Sequence, residues 1–177
     1  MSKSRKALFA TAGLTCLALL AMGCYFAAFS PQTFRGPGDL YLLRYPRSWQ
    51  ATDTAGLVTF TPKDRLPGAA VSVTIVIAKA AAGWVDGFEK ALSDAFGALG
   101  SDYRFLRQET VRLPGGEANT YAYTVVLDGT RRDNLVYVFE IGAQKAAVMT
   151  CSAPPGQEAD LAKTCRDFAA TFRSPAP

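Results

Sequence analysis

Histidine is absent from the 177 residues of the chain. This removes the commonest general base and the commonest metal ligand together. A serine triad would then need a lysine base, and no Ser-x-x-Lys occurs. Gly-x-Ser-x-Gly, a phosphate-binding glycine loop, the dinucleotide glycine fingerprint and Cys-x-x-Cys are also missing. No catalytic role, metal or cofactor is expected from these residues. Charge is scarce as well, at 19% of residues against 49% apolar, a globular rather than a disordered balance.

The net charge of +4 does not describe the whole chain. Lys3, Arg5 and Lys6 fall within the first six positions, and from Tyr25 onward 16 basic residues face 15 acidic ones. Without a basic field or an acidic tail, a nucleic-acid partner is not expected.

One long apolar run is present. Ala7 to Phe29 are 23 residues without a charge, directly after the basic start. As a helix the run would reach about 35 Å, enough for a bilayer core. Basic residues ahead of it favour a cytoplasmic N-terminus and place the rest of the chain on the extracytoplasmic face, in the cell envelope or periplasm. Residues 1–29 are therefore read as a signal or a membrane anchor. Three readings stand: a lipoprotein signal ending at Ala21-Met22-Gly23-Cys24 with Cys24 lipidated, an uncleaved anchor, or a signal cleaved near Ala27-Ala28. Ser30 to Gly38, with two prolines and two glycines, reads as a linker. Residues 39–174 then form one domain, long enough to bury its own core.

Within the domain, strands are predicted at 39–45, 56–61 and 71–78. In the third, Val71, Val73, Ile75 and Ile77 fall on one face and Ser72 and Thr74 on the other. The period then becomes helical, with Trp84, Phe88, Leu92, Phe96 and Leu99 on one stripe. Asp86 and Glu89 lie off that stripe, as acids suited to a helix N-terminus. Strands come next at 103–113, 117–127, 131–141 and 144–152, joined by tight turns at Pro114-Gly115-Gly116 and Asp128-Gly129. A last helix is predicted over 156–172, with Leu161, Cys165, Phe168 and Phe172 facing inward. The order βββ-α-ββββ-α on tight turns predicts an antiparallel sheet and an α+β fold.

Cys151 and Cys165 are the cysteines of the domain, one at the end of the last strand and one on the inner stripe of the last helix. In an oxidising compartment such a pair predicts a disulfide; two packed thiols are the alternative. Arg104, Arg107, Arg112, Arg131 and Arg132 are near one another in strand order. Glu109, Asp128 and Asp133 are interspersed, so a mixed surface is expected. Tyr41, Trp49, Tyr121, Tyr123 and Tyr137 are assigned mostly to the core or to cross-strand pairs.

The start Tyr45-Pro46-Arg47-Ser48-Trp49, Phe60, the close Met149-Thr150-Cys151-Ser152-Ala153-Pro154 and the ending Ala170 to Ser174 resemble the PsbP-like superfamily. That group includes the photosystem II extrinsic protein P, the Ran-binding Mog protein and small bacterial lipoproteins. The resemblance implies an α/β/α sandwich around a central antiparallel sheet, with Tyr45, Pro46 and Trp49 as family positions. It does not imply a common reaction, since members bind quite different partners. The function expected is a membrane-tethered, extracytoplasmic, non-catalytic module that binds or assembles a protein partner. The alternative is an envelope protein that binds a small molecule or lipid in a cleft between sheet and helix.

Overall fold

The computed structural model describes residues 30–65, 70–80, 84–99, 102–142 and 144–174. The expectations for residues 1–29, including lipidation of Cys24, lie outside the described residues. Strand β1 (Gln32–Arg35) pairs antiparallel with β2 (Leu42–Tyr45), the two joined by a short helical turn at Pro37–Asp39. Then come β3 (Trp49–Thr54), β4 (Leu57–Pro62), β5 (Ser72–Lys79), helix α1 (Trp84–Ala98), four long strands β6 (Asp102–Leu113), β7 (Gly116–Leu127), β8 (Thr130–Glu140) and β9 (Lys145–Ala153), and helix α2 (Glu158–Thr171).

Strands β3 to β9 form one antiparallel seven-stranded sheet in the order β3-β4-β5-β9-β8-β7-β6. Strand alternation divides its side chains between two layers. Val58, Phe60, Val73, Ile75, Tyr137, Phe139, Met149 and Cys151 point to one face, where α2 supplies Leu161, Cys165 and Phe168. Tyr121, Tyr123, Val125, Val136, Val138 and Val148 point to the other, under Phe88 of α1. With one helix on each face, the chain is the α/β/α sandwich around an antiparallel sheet that was expected.

The beginning differs from the sequence reading in two places. The segment 30–38, read as a linker, contains β1 and is part of the fold. Its Phe34 ring meets Phe60 edge-on at 5.5 Å. The β1–β2 ribbon lies beside α2, where Leu42 and Arg173 exchange backbone hydrogen bonds of 2.7 and 2.9 Å. Among the described residues, five strands, not three, precede α1. The extra sheet strand, β3, is an edge strand whose Gln-Ala-Thr-Asp-Thr sequence lacks the apolar alternation that marks a half-buried strand. Ala55 and Gly56 turn it into β4 with φ of 53° and 86°, and Asp53 Oδ1 accepts the Gly56 N–H at 3.0 Å. On α1, Phe88 is buried and Trp84, Leu92 and Phe96 are half-buried, while Leu99 at the end of the stripe is 71% exposed.

Candidate functional site

The residues singled out by sequence are mainly structural. Cys151 and Cys165 form a disulfide with Cα atoms 5.9 Å apart, tying β9 to α2; both residues are fully buried. Tyr45 packs on Phe60 at 5.0 Å between ring centres, and Trp49 packs on Phe168 at 5.0 Å. The Pro46 carbonyl accepts the Trp49 N–H at 3.0 Å. The Tyr-Pro-x-x-Trp segment is thus a tight corner that docks the sheet edge onto α2. Tyr41, Tyr121, Tyr123 and Tyr137 are buried. Glu89 is half-buried on α1, and the side chain of Asp86 lies outside the described residues.

The titration shifts fit packing rather than acid–base work. Burial pushes Tyr41 up to about 12, with the Asp53 carboxylate adding to it, and burial with Tyr103 beside it does the same for Tyr123. Glu158, at the start of α2, is held below the usual carboxylate range by backbone N–H groups of its own residue and of Gly156. Among the described residues, no three His, Cys, Asp or Glu side chains gather as a metal set, and no helix is long and apolar enough to cross a membrane.

Two surfaces among the described residues combine a distinct chemistry with an open position. The first is on the α1 side of the sheet. The helix packs chiefly on the β6–β7 half. The other half presents Gln50 and Thr52 from β3, Thr59 and Thr61 from β4, Ser72, Thr74 and Val76 from β5, and Thr150 and Ser152 from β9, all partly or fully exposed. The pairings Thr52↔Thr59, Thr59↔Thr74 and Thr74↔Thr150 set a row of hydroxyls across four strands. No charged residue belongs to this set, and Val76 is 39% exposed within it. The row ends at the open edge of β3. The opposite edge, β6, is protected: it carries Arg104, Arg107, Glu109 and Arg112 and a bulge between Phe105 and Arg107. Charges and bulges of this kind oppose strand addition.

The second surface is a cleft of about 290 Å3 between the first turns of α2 and strands β6–β8. Ala122, Thr124 and Leu135 line its sheet side, Leu161 and Ala162 its helix side, and Leu106 and Arg107 its β6 side; Arg131, Asp133 and Glu158 also border it. Arg131 donates to Asp133 Oδ1 from Nε at 3.2 Å and Nη2 at 3.1 Å. Along β6 the arginines named by the sequence are interleaved with acids, as expected: Arg107 meets Glu109 at 3.8 Å beside the cleft, and Arg112 meets Glu117 at 2.9 Å near the hairpin turn. Two things were not foreseen, the burial of Asp133 and the bulge at Leu106. The hydroxyl face had a readable signal, since the outward positions of several strands carry Thr or Ser where charges are usual.

Comparison with solved structures identifies the fold as PsbP-like. The solution structure of cyanobacterial PsbP (CyanoP) from Synechocystis is similar at a TM-score of 0.62 and 18% identity, covering 84% of this chain and 94% of that one. A crystal structure from Bacteroides thetaiotaomicron is similar at a TM-score of 0.56 and 17% identity over 82% of this chain, which spans about half (48%) of that protein. No family model and no curated protein matches the chain. At these identities the likeness concerns the fold alone.

Proposed function

We propose that the chain is an extracytoplasmic binding module, held at a membrane by its N-terminal segment, that acts by contact with a protein partner rather than by catalysis. The observation that carries this reading is the uncharged half-sheet on the α1 side. Protein interfaces are depleted of charge at their centres, whereas free surfaces of small domains are usually studded with it. Here a four-strand surface without a charge runs to an edge strand with no bulge and a single charge, Asp53, against the bulge and several charges of β6. The compartment is supported separately. A buried bridge between β9 and α2 suits an oxidising environment, and the apolar run of residues 7–29 suits export or anchoring.

The test is site-specific photocrosslinking in intact cells with the full chain. A crosslinker at Thr52 or Val76 is expected to trap a discrete adduct of the same mass from both positions. The same group at Arg112, on the guarded edge, is expected to trap none. Thr52→Lys should weaken the Val76 adduct without changing thermal stability. Equal labelling from all three positions, or none from Thr52 and Val76, would sink the reading.

A further inference from the structure

The cleft under α2 lies on the other side of the sheet from the hydroxyl face. It carries an inference that does not depend on a protein partner. We propose that this cleft binds a small amphipathic anion, a carboxylate or a phosphate ester with a short apolar tail. Its head would rest on Arg131 and Arg107, and its tail against Leu106, Leu135 and Leu161.

The arginine at one end is oriented before any ligand arrives. Asp133 is 6% exposed and takes the Nε and Nη2 donors of Arg131 on a single oxygen, Oδ1. A guanidinium has five N–H donors, so three remain for an external acceptor. The Arg131 side chain is 55% exposed, which leaves that remainder accessible. A planar fork fixed by a buried partner loses little freedom when it takes a carboxylate or phosphate.

The β6 wall is built by an irregularity. Phe105 pairs with Tyr123 and Arg107 with Ala122, so Leu106 is the extra residue of a bulge. Bulges re-aim side chains. This one delivers an apolar residue, 51% exposed, and a cation next to each other at the same cleft. That pairing matches a molecule with an apolar part beside a negative group.

The sign of the head group is set by which charges are already engaged. Asp133 meets Arg131 through Oδ1 while its buried Oδ2 has no hydrogen-bond partner, and Glu158 accepts the Gly156 N–H at 3.2 Å and keeps its charge. Arg107 is the loosely held charge, with its Glu109 contact at 3.8 Å between two side chains each more than half exposed. Unengaged N–H donors on Arg131 and Arg107 outnumber the open acceptor positions on Asp133 and Glu158, so the cleft complements an acceptor-bearing anion better than an ammonium. The cleft, of about 290 Å3 and open to solvent on one side, takes the head group and the nearer part of the tail, and the rest of an octyl chain stays outside.

The full chain in lipid nanodiscs, titrated calorimetrically against empty nanodiscs as the blank, tests this. Octanoate, octyl phosphate and octylamine are the probes. Saturable binding of octanoate or octyl phosphate in excess of the blank is expected, with octylamine at least tenfold weaker. Octanoate tighter than octyl phosphate assigns a free carboxylate as the source, and the reverse assigns a phosphate head group. Arg107→Gln and Leu106→Ser lie on the exposed wall and should each weaken binding about tenfold with thermal unfolding unchanged, as expected for loss of a charged hydrogen bond or an apolar contact. Arg131→Lys keeps the charge opposite Asp133 but removes the fork, and should weaken binding as well. Heats equal to the blank, octylamine as tight as the anions, or unaltered binding by Arg107→Gln would overturn the proposal. Thr52→Lys should leave these titrations unchanged, so failure of the partner reading and failure of this one are separable.

Discussion

Opening the Cys151–Cys165 bridge is the perturbation whose size the structure specifies best. The two residues are 14 apart in sequence, and the bridge joins a central strand to the helix that covers one face. Closing a loop of about 15 residues removes roughly 3 kcal/mol of entropy from the unfolded chain. A domain of this size has a total stability of about 5–15 kcal/mol, so the loss is a large fraction. With a urea slope of about 2 kcal/mol/M, the midpoint should fall by roughly 1.5 M, and the melting temperature by about 10 °C. The fold itself should persist in the reduced protein, because Leu161, Phe168 and Phe172 remain buried on the sheet. Both cysteines are fully buried, so a reductant reaches the bridge only after α2 opens. Reduction should be slow in native buffer and faster in sub-denaturing urea. The assay is urea unfolding followed by near-ultraviolet circular dichroism, with and without reductant. It is coupled to differential alkylation read at the Cys151 and Cys165 peptides, which separates them from Cys16 and Cys24. Coincident oxidised and reduced curves would refute the loop-entropy argument. Free thiols at both positions in unreduced exported protein would remove the bridge altogether.

Three further outcomes are expected. Gly36→Ala would place a Cβ 2.2 Å from the Tyr41 ring, which is buried and stacked on Phe172, so a loss of about 1–3 kcal/mol is expected in urea unfolding; a neutral result would show that the β1 segment is as loose as a linker. Phe60→Ala removes the ring on which Phe34, Tyr45 and Phe168 converge and should cost about 3–5 kcal/mol by the same measurement. Tyr41 and Tyr123 titrate near 12 in the fold against about 10 unfolded, so the native state holds their protons longer. Their contribution is complete below pH 10 and is lost as pH rises toward 12, roughly 2–3 kcal/mol for each. Phenolate absorbance and unfolding should therefore rise together in that window, and full ionisation of all tyrosines by about pH 10.5 with the fold intact would contradict it.

How far the sequence discloses this molecule depends on what each residue does. Alternation in Val71 to Ile77 and in Tyr121 to Val125 reports burial directly, because a strand between two layers must sort its side chains by face. Asp128-Gly129 and the last helix were legible for the same kind of reason, since φ values of 50° and 73° demand turn-forming residues and a helix docked on a sheet demands an apolar stripe. Strand β3 was not legible. It is an edge strand, and Gln50, Thr52 and Thr54 face solvent. Strand β1 hid among prolines and glycines because its stability comes from Phe34 against Phe60 and from the neighbouring β2, contacts that no local pattern encodes.

The two candidate surfaces were only partly legible, because each depends on a register as well as on residue type. Thr59 meets Thr74, and Thr74 meets Thr150, only once β4, β5 and β9 are aligned. Leu106 joins Arg107 at the cleft only because β6 carries one residue more than β7 between paired positions. Paired without the bulge, the same sequence would set Leu106 opposite Ala122 and turn every residue from Leu106 onward to the opposite face. Arg107 and Glu109 would then join Tyr103 and Phe105, which are half-buried on the α1 side, on that same face. The bulge therefore lets one strand satisfy an aromatic layer at its start and a polar cleft further along. In a sheet covered by a helix on each face but at different ends, this reconciles the two demands on β6.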